Sequence, residues 1–251
     1  MNNTIFRSVQ ILNYIADRQN GTTLQEISNH FDIPKSSAFV IVQSLLELDY
    51  IATSPFNEKS YCLGVEAFVL GMKYFNHLDV VNICIAQVQP LADQYGKTAF
   101  ISVVNDTKIA FVGKYVAPTA VLATCALGSR KQVYATASGK AFLAFLPAAE
   151  SEKIIEKIEF ERLTDYTIVS KEKLEEEIVA TRLRGYALER QEDRTVSACC
   201  AVPVYDYTGK MIVSISLSDV YNPEIDDEQM GQELKNIATE ISKTLGYAGR
   251  S

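Results

Sequence analysis

Apolar residues recur at helical spacing along the first fifty positions. In "RSVQILNYIAD", Val9, Leu12, Ile15 and Ala16 fall on one face of a helix. Asn20-Gly21 breaks the chain. Thr23, with Glu26 three residues on, makes a capping box for a second helix whose apolar side is Leu24, Ile27 and Phe31. After Asp32-Ile33, Pro34 fits the first position of a third helix, "PKSSAFVIVQSLLELDY". Ala38, Ile41, Val42, Leu45 and Leu48 make its apolar face, and Lys35, Ser36, Ser37, Val40, Gln43 and Glu47 fall largely on the other. Residues 50–52 and 60–63 read as two short strands about a Ser54-Pro55-Phe56-Asn57 turn. Three short helices, a tight turn before the third and a hairpin after it predict a winged helix-turn-helix over residues 1–63.

The pattern then stays helical through "VEAFVLGMKYF", which predicts a linker helix within residues 64–79, and "VVNICIAQVQPLADQYG". From Thr98 it changes to strand alternation. "TAFISVVN" and "KIAFVGKY" flank an Asp106-Thr107 turn, and "TAVLATC" is a candidate third strand. Helices follow in "ASGKAFLAF", "AAESEKIIEKI" and "SKEKLEEEIVATRLRG", the last closed by Gly185. "YALER", "SACCAVPVYD" and "KMIVSISLS" are strands, and "DDEQMGQELKNIATEISKTLGY" is a closing helix. Antiparallel strands covered by helices make residues 80–251 a sensor-type domain, and the whole chain α+β.

Composition narrows the function classes. The five cysteines are odd in number and scattered without a Cys-x-x-Cys pair, and His30 and His77 are the only histidines. No disulfide framework, metal site or cofactor is expected. No apolar run approaches the length of a membrane span, and no signal peptide is visible, so a cytoplasmic protein without a membrane partner is expected. The net charge of −7 gives no general attraction to nucleic acid. Placement does better: Lys35 opens the third helix and Lys59 lies in the hairpin, where winged folds meet phosphates.

The Gly-Lys pair in "YATASGKAFLAF" raises the question of a phosphate loop. Tyr134 stands where such a loop needs its first glycine, and Ala141 where it needs a serine or threonine, so that reading fails. The stretch instead predicts a helix start with Thr136 as N-cap, its outward amides at Ala137, Ser138 and Gly139 either meeting an anion or capped only by the Thr136 side chain and water. In "KMIVSISLS", Met211, Val213, Ile215 and Leu217 share one face, and Ile212, Ser214, Ser216 and Ser218 the other. Three hydroxyls on one sheet face mean either solvent or a polar pocket; if that face is covered, the serines and the helix N-terminus make a pocket for a small polar ligand. Cys199 and Cys200 point to opposite faces of their strand and do not pair easily. Lys131 is expected to be a solvated surface residue; turned inward, it would add a positive charge to the pocket.

"YATASGKAFLAFL", followed after about forty residues by "RGYALERQEDRTVSACCAVPVYDYTGKMIVSISLS", resembles the IclR family of bacterial transcriptional regulators, and "RSVQILNYIAD", "IPKSSAFVIVQSLLELDYI" and "SYCLG" match its DNA-binding domain in order and spacing. The resemblance implies a winged-helix domain, a linker helix and a GAF-like effector domain. It also implies homodimers or homotetramers on a double-stranded DNA operator near genes for a catabolic pathway, and a small organic-acid effector. Lys35, Ser36, Ser37, Phe39 and Gln43 would then face the major groove, Lys59 the phosphates beside the wing, and Arg7 the backbone. The effector positions carry over to Ala137, Ser138, Glu189, Cys199, Ser216 and Ser218, with Lys131 added as a feature of this chain; Glu192 matches an acidic residue typical of the family. Val40 and Cys62 stand where the family commonly has arginine, and Asp49 where it has glycine; Lys131-Gln132 replaces a typical Leu-Pro, and Val196 stands where glycine is usual. The alternative from another class is a small-molecule enzyme using Cys199 as a reactive thiol. The missing histidine partner and metal set weigh against it, so no catalytic residues are expected.

Overall fold

The computed structural model describes residues 3–18, 20–76, 79–121, 125–224 and 227–249. The chain forms two compact units, Met1–Leu78 and Asp79–Ser251.

In the first unit, helices α1 (Asn3–Ala16), α2 (Leu24–His30) and α3 (Lys35–Glu47) are followed by strands β2 (Ile51–Ser54) and β3 (Asn57–Leu63) and helix α4 (Val65–Asn76), with a two-residue strand β1 (Thr22–Thr23) before α2. The order β1-β3-β2 makes a small antiparallel sheet, the wing. Strand β1 was not foreseen, because a two-residue pairing leaves no periodic signal. The capping box forms as expected: the Thr23 side chain accepts from the Glu26 amide, and Glu26 accepts from the Thr23 amide. Ile11, Ile15, Ile27, Ala38, Ile41, Val42 and Leu45 close the core.

Three expectations in this unit need correction. Val9 is 54% exposed, and Ala16 is also exposed. Ile11 and Ile15, one turn apart, point inward, and Val9 lies about 200° around the helix from Ile11. Leu48 is exposed because it is the C-cap of α3 and has left the helical path. Pro34 is the N-cap rather than the first helical residue; its ψ of 140° keeps it outside α3, and its carbonyl accepts from the amides of Ser37 and Ala38. Asp49, which replaces the glycine that the resemblance leads to before the wing, takes a φ of 55°. Aspartate is among the few side chains that tolerate that left-handed region.

The second unit opens with α5 (Asp79–Tyr95). Strands β4 (Thr98–Asn105), β5 (Lys108–Val116) and β6 (Arg130–Gln132) follow, then a 3-10 turn (Val133–Ala135) and helices α6 (Ala137–Phe145), α7 (Ala148–Ile155) and α8 (Lys171–Arg184). Strands β7 (Ala187–Arg190), β8 (Ser197–Tyr205) and β9 (Met211–Val220) and helix α9 (Asp227–Thr244) complete it. The antiparallel sheet has the order β6-β5-β4-β9-β8-β7, with α5 and α9 packed on one face and α6 on the other. The candidate strand in "TAVLATC" is not found: residues 117–121 are irregular, and 122–124 lie outside the described residues. The strand beside β5 is instead Arg130–Gln132. Gly185 closes α8 with a φ of 85°, as its position predicted.

Candidate functional site

Two regions hold the residues singled out in the sequence. In the first unit, Lys35, Ser36, Ser37 and Phe39 are exposed along α3, and Gln43 is half-buried on the same helix. Lys59 is exposed on β3 and Arg7 on α1. Ala38, Ile41, Val42 and Leu45 tie the opposite face of α3 into the core, so its outer face is presented on a fixed frame.

In the second unit, a cavity lies between the start of α6 and the sheet. Its lining includes Lys131, Ala137, Ser138, Glu189, Cys199, Ser216 and Ser218, which is the whole expected set. Register explains how it is assembled. Glu189, Cys199, Ser218 and Thr98 sit side by side across β7, β8, β9 and β4, and two residues along the ladder come Ala201, Ser216 and Phe100. Side chains alternate along a strand, so Ser216 and Ser218 face α6 while Ile215 and Leu217 face the other layer. Both serines are buried. Ser214, on the same face, is buried outside the cavity, and its hydroxyl lacks a partner among the described residues. The cavity volume is about 40 Å³.

The start of α6 departs from expectation in one respect. Thr136 is the N-cap, but its hydroxyl accepts from the Gly139 amide at 3.1 Å, so only Ala137 and Ser138 remain to offer first-turn amides. Ser138 is further placed by a hydrogen bond from Ser102 at 3.3 Å. Gly139 itself has a packing role. A Cβ there would lie 2.1 Å from the Val133 carbonyl oxygen, so α6 can rest on the 3-10 turn only with glycine at this position. Lys140 is 1% exposed and bonds Glu192 at 2.6 Å, tying α6 to the β7–β8 loop. The Gly-Lys pair is thus built into the domain's frame.

Glu189 is 2% exposed, and its Oε1 accepts from the amides of Glu192 (2.8 Å) and Asp193 (3.3 Å) and from the Ser197 hydroxyl (3.1 Å). It therefore organises the β7–β8 loop as well as facing the cavity. Burial pushes its carboxyl up to about 7, against the pull of the loop amides. Burial, and then the neighbouring Glu189, push the Cys199 thiol well above its usual range, and it donates to the Ser218 hydroxyl at 3.2 Å. A thiol held protonated is a poor nucleophile, which counts against the enzyme alternative. Lys131, expected at the solvated surface, is instead partly buried and pairs with Asp193 at 2.9 Å. Asp193, Arg194 and Ser197 also line the cavity and were missed in the sequence. Asp193 and Arg194 lie in the β7–β8 loop, which has no periodicity, and Ser197 is the first residue of β8; the acidic Glu192 was a signal close to them in the sequence. No group of three or more potential metal-ligating acids, cysteines or histidines occurs among the described residues.

The model of the IclR helix-turn-helix domain matches residues 4–55, and that of the bacterial transcriptional regulator IclR C-terminal domain matches residues 72–243. The chain belongs to the IclR family of transcriptional regulators. IclR-family proteins are DNA-binding regulators rather than enzymes. Among curated relatives, the HTH-type transcriptional regulator XynR of Escherichia coli is 27% identical over 247 residues, spanning 97% of each chain. The transcriptional repressor AllR of Klebsiella pneumoniae is 28% identical, over 96% of this chain and 89% of its own. Thermotoga maritima IclR superposes with a TM-score of 0.69 at 25% identity, over 98% of this chain and 100% of that one. An IclR homolog from Microbacterium hydrocarbonoxydans, solved with 4-hydroxybenzoate, shares the fold at a TM-score of 0.78 and 19% identity, over 97% and 99%. No helix among the described residues is long and apolar enough to cross a membrane.

Proposed function

We propose that the chain is a ligand-responsive regulator that reads operator DNA through α3 and the wing and binds a small organic acid in the α6 cavity. The observation that carries the ligand half is the meeting of the α6 N-terminus with Ser216 and Ser218 in one cavity. Backbone amides at the positive end of a helix attract a carboxylate, and two hydroxyls complete its hydrogen bonds. The lining charges agree. Lys131 and Arg194 outnumber Asp193 among the lining charges, and burial raises the Glu189 carboxyl, so the lining favours an anion. The 4-hydroxybenzoate bound by the Microbacterium homolog is a ligand of that class.

The DNA half rests on the family and on α3, whose exposed Lys35, Ser36, Ser37 and Phe39 suit a major-groove face, with Gln43 beside them. Lys59 and Arg7 supply backbone contacts, and the protein acts as a homodimer so that two wings meet two half-sites.

The test of the ligand site is a thermal-shift screen of the full chain against monocarboxylic acids, with 4-hydroxybenzoate included. One or more acids are expected to raise the melting temperature, and Ser216→Ala with Ser218→Ala to abolish the rise. A rise that survives the double change moves the ligand to another site. A cation or a neutral apolar compound as the sole stabiliser overturns the carboxylate assignment.

A further inference from the structure

The outer face of α3 carries an uncommon combination. Ser36, Phe39, Val40 and Gln43 follow one another at spacings of three, one and three, which makes a single stripe. Phe39 is 48% exposed and Val40 63%, although α3 already buries four other apolar side chains in the core. Neither is needed to hold the helix in place. Between Lys35 and Glu47 there is no arginine, the residue that most often reads guanine through a bidentate pair. The helix's one cation, Lys35, stands at its first position.

In the major groove, the apolar group that distinguishes one base pair from another is the thymine C5-methyl. We infer that Val40 and Phe39 are specificity-determining residues that pack on thymine methyls, so that the operator half-site has an A·T core at the positions α3 reads. This rests on the proposal that α3 enters the major groove. Gln43 fits the same core, because its amide matches the N6/N7 edge of adenine, the base opposite a thymine. The apolar pair and the amide are one turn apart on the stripe, and together they complement both strands of an A·T step. A methyl moved from water into contact with an apolar side chain accounts for about a fourfold change in affinity.

The test uses the full-length protein and duplexes it selects from a random library. Selected half-sites are expected to carry A·T pairs at their centre. Each thymine in the selected duplex is then replaced singly by deoxyuridine, which removes the methyl and leaves the pairing edge intact. Affinity is expected to fall about fourfold at one or two positions. Val40→Ala and Phe39→Ala are each expected to erase the loss at one of them. Both side chains are exposed, so a melting temperature equal to wild type verifies that the variants fold. Indifference to deoxyuridine at every position, a selected G·C core, or a loss that persists in both variants overturns the inference while leaving DNA reading intact. Absence of any sequence preference overturns both.

Discussion

At the residue scale, burial makes Glu189 sensitive to pH. Its folded carboxyl titrates at about 7, against an ordinary 4.5, because burial disfavours the charge. The native state therefore holds this proton more tightly than the unfolded chain does. The stability it contributes is fully present below about 4.5 and is lost as pH rises through about 7. In urea unfolding, the advantage of Glu189→Gln over wild type is expected to grow from pH 4.5 to pH 8, by about 1–3 kcal/mol. A pH-independent difference would contradict the account. The same proton bears on the ligand, since an ionised Glu189 repels a carboxylate. Lys140 offers a second test. Burial raises the Glu192 carboxyl, while Lys140 pulls it back, and Glu192 Oε2 has no partner among the described residues. Lys140→Ala strands that carboxylate and is expected to cost about 3–5 kcal/mol, whereas replacing both partners by leucine is expected to restore much of the loss. Equal destabilisation by the single and double changes would show that packing, rather than the pair, matters.

At the element scale, α6 is held by contacts that differ in how far they reach along the chain. Thr136 caps it from the adjacent residue, and Gly139 lets it rest on the 3-10 turn. Gly139→Ala is expected to destabilise the fold by about 1–3 kcal/mol or more, because the clash is with backbone that cannot rotate away. A melting temperature within a degree of wild type would contradict this. Such local features explain what was legible beforehand. The Thr23–Glu26 box, the Thr136 cap, the Gly185 end and the alternation in β9 each rest on residues a few positions apart. Register was legible only in part: the serine face was visible in β9, but its alignment with Glu189 and Cys199 depends on pairing across three strands. Strand β6, the Asp193–Lys131 pair and the ends of the apolar faces at Val9 and Leu48 depend on long-range packing or on where a helix stops. No window of sequence carries them.

At the scale of the whole molecule, the proposed DNA-reading face and the proposed acid cavity lie in separate compact units. Helix α4 leaves Val65, Phe68 and Leu70 exposed, more apolar surface than a lone spacer needs. It is expected to pack against its twin, so that sedimentation of the full chain gives a dimer or larger assembly; a monomer at all micromolar concentrations would contradict that. The central claim is that the acid in the α6 cavity changes the affinity for DNA. It is tested most directly by titrating the full-length protein into a selected operator duplex, with and without the stabilising acid, for wild type and for Ser216→Ala with Ser218→Ala. Coupling predicts that the acid shifts the apparent Kd of wild type by about 5-fold or more and leaves the double variant unmoved. An acid that binds the cavity yet leaves the operator affinity of wild type unchanged would contradict the account.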